Sequence, residues 1–397
     1  MRPNLSFHVV GVSHHTAPVQ ERERYAFDRA ETGSFLERLH HAGLAGLLLS
    51  TCNRCELYWV GVEDGETWFQ DLALAKGGNR VPGLSRYHGM AAVRHLFMVS
   101  GGLDSQILGE TEILGQVRRA YDHARAAGTT TREMDLIFSA ALSAGRRVRR
   151  ETLLGRHPSS VSSAAVELAL QQLGESQPRD VVVLGAGEAA EGVLRELHQK
   201  GVAGVTLLNR KPEKARVLAS AWGAEVSAWE QLDQRLERAD LVLVATASAR
   251  PIVTAAQLAR AAAVRGKQEL LVIDLAVPRN VEPSSRSLDG IHLLDLDDLQ
   301  RLCCPAAGTA SAALAEAEGI IEDEVVRLGL SLRGRVVAPR LAELHRVGLE
   351  MAERESAWAL GQLEALSEPQ REIVRQMADR LVRRVLYPVS RNLREDV

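Results

Sequence analysis

A fully apolar tetrapeptide followed at once by a glycine-rich turn sets the strongest constraint on how this chain folds. Residues 181–184 read Val-Val-Val-Leu, and residues 185–190 read Gly-Ala-Gly-Glu-Ala-Ala. The apolar run is typical of a strand buried on both faces of a parallel sheet, and helical apolar spacing follows the turn. In this setting Gly185 permits a tight turn, Gly187 lets the backbone approach a pyrophosphate, and Ala190 keeps the helix close to the sheet. The pattern predicts a doubly wound, Rossmann-type nucleotide-binding domain.

The end of the next predicted strand indicates which dinucleotide would bind. Residues 205–208 read Val-Thr-Leu-Leu and are followed by Asn209, Arg210 and Lys211, at the distance where the ribose is read. An acidic residue there favours NAD, whereas Arg210 and Lys211 suit a 2′-phosphate, so we expect NADPH. The alternative is a Rossmann-like domain that binds no nucleotide. The residues predicted to bind the cofactor are Gly185, Ala186, Gly187, Glu188, Ala189, Ala190, Asn209, Arg210 and Lys211.

A polar segment between two apolar runs contains the best candidate for a reactive side chain. Residues 46–49 and 57–60 are predicted strands, and residues 50–56, Ser-Thr-Cys-Asn-Arg-Cys-Glu, lie between them. A thiol has an unperturbed pKa of about 8.5, and a nearby cation such as Arg54 can lower that pKa toward about 7. Cys52 is therefore either a nucleophile or a small buried apolar side chain. An activated thiol together with NADPH suggests a covalent thioester that is reduced by hydride.

Composition restricts the class of protein further. Hydrophobic residues make up 46% and charged residues 25% of the 397 residues, as in globular proteins with two or three domains. Four cysteines do not make a disulfide framework, and Cys303 and Cys304 have no companion ligands at metal spacing, so no metal site is predicted. We find no leader and no membrane-spanning run, and expect a cytoplasmic protein with no membrane partner. The net charge of −3 excludes a globally basic nucleic-acid binder but allows a local basic face.

Strand and helix signals divide the chain into three predicted domains. Residues 1–157 are expected to form an α/β catalytic domain, 158–300 a Rossmann-type NADPH domain and 301–397 a helical dimerisation domain. The fold class is thus α/β plus all-α, with a long helix within about 306–335 joining the last two domains. In the helical part, apolar stripes at 341–351 and 373–385 need burial, and an inter-subunit or an intramolecular bundle would satisfy them. Prolines are predicted to punctuate these helices at Pro339, Pro369 and Pro388.

Several ordered motifs together resemble those of the glutamyl-tRNA reductase family. They cover nearly the whole chain and are residues 11–18 with Arg22-Glu23, residues 50–56, residues 102–110 with 113–117, the glycine turn with Asn209-Arg210, residues 274–279, and residues 297–300. The resemblance implies the first step of the C5 route to tetrapyrroles. Cys52 would attack the ester of glutamyl-tRNA, tRNA would leave, and hydride from NADPH would convert the thioester into glutamate-1-semialdehyde.

The resemblance also implies roles for individual residues and partners. Arg54 would hold a carboxylate of the glutamyl group, and the glutamates would suit its ammonium group. His95 would transfer a proton to or from the leaving group, or else is a hydrogen-bonded structural residue. The implied substrate-binding residues are Thr51, Asn53, Arg54, Ser105, Glu110, Thr111, Glu112 and Gln116. The implied partners are charged tRNA(Glu), a second copy bound through the C-terminal helices, and glutamate-1-semialdehyde aminomutase.

Some positions depart from the family pattern. Cys55 stands where threonine is more common and is interpreted as a packing residue, Glu112 stands where glutamine is usual, and His15 replaces the usual lysine. Two other functions are considered: a small-molecule NADP dehydrogenase of the shikimate type, and a non-catalytic tRNA-binding scaffold. The first would leave Cys52 and the stretch from Gly102 to Val117 unexplained, and the second would be marked by loss of Cys52 or of the glycine turn, both of which are present.

The tRNA surface is predicted from the densest run of positive charge. Arg146, Arg149 and Arg150 can share one helix face. The alternatives are a salt-bridged helix surface without tRNA, and a competing patch at Arg380, Arg383 and Arg384.

Overall fold

The computed structural model describes most of the chain, and its contacts divide it into two compact units. The described residues are 5–62, 64–75, 83–106, 109–110, 112–152, 154, 160–174, 178, 180–302, 309–363 and 366–395. Ser6–Glu322 forms one unit, and Asp323–Val397 forms most of the other. Thr111, Cys303, Cys304 and the predicted boundary at 157/158 lie outside the described residues. The domain boundaries therefore stay predictions.

The N-terminal part of the first unit is built on an antiparallel sheet with the strand order β2-β3-β1-β4. The strands are β1 (Phe7–Ser13), β2 (Ala45–Ser50), β3 (Arg54–Val60) and β4 (Ser85–His88). Gly11 allows the close approach of β1 to β3, because a Cβ there would lie 2.2 Å from the carbonyl oxygen of Cys55. The turn between β2 and β3 contains Cys52, as the sequence predicts.

Among the described residues, six helices accompany this sheet, and two of them begin at side-chain caps. They are α1 (Val19–Arg22), α2 (Arg29–His41), α3 (Gly65–Ala75), α4 (Met90–Gly101), α5 (Glu112–Ala126) and α6 (Arg132–Glu151), with a 3-10 turn at Glu23–Tyr25. Asp28 and Glu31 form a capping box at the start of α2, and Thr131 caps α6. Helices α4 and α5 carry the predicted site residues His95, Glu112 and Gln116.

The nucleotide-binding part is a parallel six-stranded sheet with helices between its strands. Its elements are α7 (Val161–Leu173), β5 (Val181–Leu184), α8 (Glu188–Gln199), β6 (Val205–Leu208), α9 (Pro212–Trp222), β7 (Glu225–Ser227), α10 (Leu232–Leu236), β8 (Leu241–Val244), α11 (Ala255–Arg265), β9 (Leu270–Asp274), β10 (Ile291–Leu294) and α12 (Leu296–Leu302), with 3-10 turns at Trp229–Gln231 and Pro283–Ser287. The order β10-β9-β8-β5-β6-β7 places the point where strand order reverses between β5 and β8. Dinucleotides bind at this point in doubly wound folds, so the predicted Rossmann-type architecture is confirmed.

Within its described residues, the C-terminal unit contains two helices and no strand. Its helices are α13 (Thr309–Gln362), which begins in the first unit, and α14 (Glu368–Glu395). The predicted punctuation at Pro339 and Pro388 is wrong, because α13 continues through residue 339 and Pro388 lies inside α14. Packing supports α14 near its proline: Gly348 leaves room for Leu386, and the ring of His345 lies 3.0 Å from Ser390 Oγ. Within the described residues, none of the helices has the length and apolar content needed to span a bilayer.

Candidate active site

The turn that holds Cys52 is built by its neighbour Thr51. The Thr51 hydroxyl accepts hydrogen bonds from the backbone N–H groups of Asn53 and Arg54, at 3.1 and 3.2 Å. The Thr51 N–H donates to the carbonyl of Arg54 at 2.8 Å and closes the turn. Thr51 therefore orders the turn around the thiol, which is a local reason for a β-branched hydroxyl residue at this position.

Cys52 lies partly buried between the antiparallel sheet and the nucleotide-binding part. Its side chain packs against the apolar cluster on one face of the parallel sheet, which includes Leu275, Leu296 and Leu299. Burial raises the pKa of the Cys52 thiol to about 12, and the carboxylates of Glu110 and Glu112 act in the same direction. The thiol is therefore neutral at pH 7, and it touches the domain predicted to hold the cofactor.

Arg54 is held by carboxylates of the chain itself. Its Nη1 donates to Glu56 Oε1 and to Asp104 Oδ2, both at 2.9 Å, and its Nη2 donates to the carbonyl of Asp104. The side chain is fully buried, so this charge is compensated within the protein. The expectation that Arg54 lowers the pKa of Cys52 needs correction, because the cation acting most strongly in that direction is Arg22.

His95 belongs to the same buried network as Arg54. Its Nε2 donates to Glu56 Oε1 at 3.0 Å, its Nδ1 lies 3.8 Å from Asp104 Oδ2, and its ring stacks on Tyr87 with centroids 4.2 Å apart. The ring is thus fixed in position by two carboxylates and an aromatic face. This arrangement suits either predicted role, since a positioned imidazole can be structural or can transfer a proton.

The predicted glutamates come together near the thiol. Asn53 Nδ2 donates to Glu110 Oε2 at 3.4 Å, and the pKa of Glu110 rises to about 7 because of burial and the negative charge of Glu112. The pKa of Glu112 is also raised, first by burial and then by Glu188. Ser105 forms a hydrogen bond with Glu110. Gln116 lies half-buried on α5, one turn beyond Glu112. A buried and a half-buried carboxylate, both with raised pKa values, are suited to receive an ammonium group.

Four buried polar atoms around this site have no hydrogen-bond partner within the part of the chain that the structure describes. They are His14 Nδ1, Arg22 Nε, Asn53 Oδ1 and Arg54 Nε. The four residues are linked, because the His14 N–H donates to the carbonyl of Asn53 at 2.9 Å and both arginines lower the pKa of His14, which burial brings to about 3. Unpaired buried donors and acceptors are costly, and a polar ligand that pairs with them removes that cost.

The glycine turn has the shape that a pyrophosphate needs. Gly185 has a φ of 119°, and a Cβ there would lie 2.2 Å from the carbonyl oxygen of Ala245. A Cβ at Gly187, the N-cap of α8, would meet no atom within 4 Å, so the backbone is open at the helix N-terminus. Ala190 is fully buried as predicted. Glu188 is exposed and forms an ion pair with Arg119 at 2.8 Å, while Ala186 and Ala189 are half-buried.

The residues predicted to read the ribose lie beyond β6. Asn209 Nδ2 donates to the carbonyl of Lys211 at 2.9 Å and so shapes the turn. Arg210 and Lys211 are exposed, and across the described ranges no ion pair involves either side chain. Two exposed cations with uncompensated charge fit a phosphate, so these residues suit the predicted cofactor.

Residues that sequence reasoning did not select connect the thiol site to the nucleotide-binding part. Arg22 forms an ion pair with Asp297 at 3.0 Å, and Glu23 pairs with Arg279 at 2.8 Å. Gln106 donates to Asp297 at 3.2 Å. The signal that could have found these five residues was present, because all of them lie in the motifs quoted above, but none of the five was given a role.

A thiol in an α/β domain that packs on a Rossmann-type domain defines a class of protein: a multidomain, dinucleotide-binding protein with a candidate nucleophilic cysteine. Comparison with known proteins narrows the class. Residues 10–152 match the model of the glutamyl-tRNAGlu reductase N-terminal domain, 167–302 that of shikimate/quinate 5-dehydrogenase, and 316–397 that of the glutamyl-tRNAGlu reductase dimerisation domain.

Full-length relatives identify the family. Glutamyl-tRNA reductase from Desulfitobacterium hafniense is 36% identical over 394 residues, covering 97% of this chain and 89% of the relative. The protein of that name from Deinococcus radiodurans is 42% identical over 320 residues, covering 80% and 91%. The solved glutamyl-tRNA reductase from Methanopyrus kandleri aligns over 100% of this chain and 98% of that chain, with 31% identity and a TM-score of 0.46. The chain belongs to the glutamyl-tRNA reductase family.

Proposed function

We propose that this protein reduces glutamyl-tRNA(Glu) to glutamate-1-semialdehyde with NADPH, the first step of tetrapyrrole synthesis by the C5 route. The observation that carries the proposal is the position of Cys52. It packs on the nucleotide-binding part, and the next two residues of its turn, Asn53 and Arg54, each contain a buried polar atom with no partner among the described residues. The match to the shikimate dehydrogenase model covers only 167–302 and corresponds to this nucleotide-binding part. The activity of a shikimate-type dehydrogenase would not explain the thiol site at Cys52.

Different residues of the site would carry out different steps of this reaction. The Cys52 sulfur would attack the carbonyl carbon of the glutamyl ester, and the ribose oxygen of tRNA would leave with a proton. His95 would accept the proton of the Cys52 thiol and pass it to that oxygen. The Arg54 Nε, which has no partner among the described residues, would be available to a carboxylate of the glutamyl group. Glu110 and Glu112 would bind the α-ammonium group. NADPH, when bound, supplies the hydride that reduces the thioester.

The partners follow from the same family membership. A homodimer is supported by the match of 316–397 to a dimerisation domain. We also propose a cytoplasmic location and transfer of the aldehyde to glutamate-1-semialdehyde aminomutase, the latter because the aldehyde product is reactive.

The tRNA-binding surface is proposed on α6, but it does not include all three arginines that were predicted to share one face. Arg146 and Arg150 are exposed, but Arg149 turns inward, with its Nη2 3.4 Å from the carbonyl oxygen of Glu110. Arg150 and Arg147 both pair with Glu151, so part of this surface is the salt-bridged alternative. Arg383 in the competing C-terminal patch pairs with Asp379 at 2.9 Å.

The test of the proposed function compares two neighbouring thiols. Cys52→Ser should abolish NADPH-dependent formation of the aldehyde from charged glutamyl-tRNA, because a hydroxyl lacks the nucleophilicity of a thiolate and gives an ester instead of a thioester. Cys55→Ser is the matched control, since Cys55 is buried in β3 and should affect stability more than chemistry. Aldehyde formation by Cys52→Ser at more than a few per cent of the wild-type rate would refute the covalent mechanism.

A further inference from the structure

The charge on Arg22 has no role in the function as proposed so far. Arg22 is 3% exposed, and its Nη1 donates to the carbonyl of Ala17 at 3.2 Å. Its Nη2 donates to Asp297 Oδ1 at 3.0 Å, and its Nε has no partner among the residues that the structure describes. A buried guanidinium with one unpaired N–H is costly, and it needs a reason to be retained.

Asp297 fixes the position of the Arg22 guanidinium and offsets part of its positive charge. Besides pairing with Arg22, Asp297 accepts a hydrogen bond at Oδ2 from the backbone N–H of Val19, at 2.8 Å. This bond fixes the start of α1. Asp297 also accepts a hydrogen bond from Gln106 Nε2 at 3.2 Å. Asp297 lies on α12, in the nucleotide-binding part, so the cation from one domain is held by a carboxylate from the other.

The Cys52 turn lies against this same junction. Cys52 packs on the cluster that contains Leu296 and Leu299, which flank Asp297 on α12. The segment around α1 is joined to the turn at two points: the His14 N–H donates to the Asn53 carbonyl at 2.9 Å, and the Phe27 N–H donates to Ser50 Oγ at 3.0 Å. The thiol and the guanidinium therefore border one interface.

The other charged groups that face Cys52 oppose ionisation of the thiol. Glu110 and Glu112 raise its pKa, whereas Arg22 lowers it. Arg54 is compensated by Glu56 and Asp104. His14, also near Arg22, is neutral at pH 7 because burial and the nearby positive charges bring its pKa to about 3. Arg22 is consequently the cation through which the site can favour the reactive thiolate.

We propose that Arg22 is the cation that favours ionisation of the Cys52 thiol, and that Asp297 of the nucleotide-binding part sets how much of its charge the thiol experiences. The inference rests on Cys52 being the nucleophile of the proposed function. It adds a coupling between the two domains, because any movement that separates Asp297 from Arg22 makes the thiol more reactive.

The experiment measures thiol ionisation without substrate or cofactor. The rate of alkylation of Cys52 by iodoacetamide is followed from pH 6 to 10 in the full-length protein, by mass spectrometry of tryptic peptides. Trypsin cleaves after Arg54, so Cys52 and Cys55 fall in separate peptides. Arg22→Gln should slow alkylation of Cys52 about tenfold at each pH below the pKa, since an opposite charge nearby typically shifts a pKa by about 1–3 units. Arg22→Lys should retain part of the wild-type rate.

Two further variants make the result specific. Arg24→Gln is the matched control, because Arg24 is exposed two residues along the chain and should leave the rate unchanged. Asp297→Asn should have the opposite effect to Arg22→Gln and raise the rate of Cys52 alkylation about threefold to tenfold, with Cys55 alkylation unchanged. An equal rise at Cys55 would mean that the fold has opened, and it would overturn the assignment to Asp297.

The inference fails if Arg22→Gln and Arg24→Gln give the same pH profile. That outcome would leave the proposed function intact, because it concerns only the origin of thiol reactivity. Loss of aldehyde formation in Cys52→Ser together with an unaltered Arg22→Gln profile would separate the two conclusions.

Discussion

At the scale of single residues, the site is defined by which charged side chains have a partner of opposite charge and which do not. Cys52 was selected from its position between two predicted strands, whereas His95 and the glutamates were implied by the resemblance to the family. Sequence reasoning could not show that Arg54 is neutralised by Asp104, which lies 50 residues away in the chain. It also could not show that Arg22 meets Asp297, 275 residues away. Such pairs depend on how two sheets pack together, and local sequence patterns carry no information about that packing.

Glu110 gives a prediction about stability and pH at this scale. Its pKa is raised from 4.5 to about 7, so the folded state keeps its proton where the unfolded chain has lost it. The free energy of unfolding should therefore fall as the pH rises from about 4.5 to about 7, by up to roughly 3 kcal/mol. Glu110→Gln should remove this fall and make the protein more stable at pH 8.

Denaturant unfolding at several pH values checks this prediction. Glu37→Gln, which alters an exposed carboxylate on α2, is the control and should leave the pH dependence as in the wild type. If Glu110→Gln instead destabilises the protein at pH 8, the carboxylate is ionised in the folded state and its partners outweigh burial.

At the scale of elements, apolar runs in the sequence predicted the buried strands well. They did not reveal the polar strand at an edge of the antiparallel sheet. The runs at 181–184, 205–208 and 46–49 correspond to β5, β6 and most of β2. Strand β4, Ser85–His88, was not predicted, because its polar residues alternate between half-buried and exposed positions on an edge of the sheet. Helix α13 is longer than predicted, since proline was expected to end a helix that continues through residue 339.

The turn after β6 carries the prediction about cofactor choice. Arg210→Asp should weaken NADPH binding about tenfold to a hundredfold and NADH binding much less, because it replaces a phosphate partner by a like charge. Fluorescence titration of both nucleotides measures this. Lys200→Asp, with the same change of charge at the other end of α8, is the control. Equal losses for the two nucleotides in Arg210→Asp would show that Arg210 does not read the 2′-phosphate.

At the scale of the whole molecule, the C-terminal helices expose an apolar stripe that a monomer would leave in water. Ile373, Met377, Leu381 and Val385 recur every four residues on α14 and are 64%, 55%, 55% and 65% exposed. The proposed homodimer would cover this stripe, and the double variant Met377→Asp/Leu381→Asp should therefore be monomeric. Analytical ultracentrifugation tests this, with Gln376→Glu as an exposed neighbour that should remain dimeric. A dimer that survives the double variant would place the interface on another surface.

The central claim is that Cys52 carries the glutamyl group as a thioester, and trapping that species tests it most directly. Wild-type protein, Cys52→Ser and Cys55→Ser are each mixed with charged glutamyl-tRNA in the absence of NADPH, quenched in acid within seconds and digested at low pH. Mass spectrometry then measures the mass of the segment containing residue 52. We expect a hydroxylamine-labile glutamyl adduct on Cys52 in the wild type and in Cys55→Ser, and none in Cys52→Ser. An adduct on Cys55, or aldehyde formation with no adduct on either cysteine at any time, would contradict it.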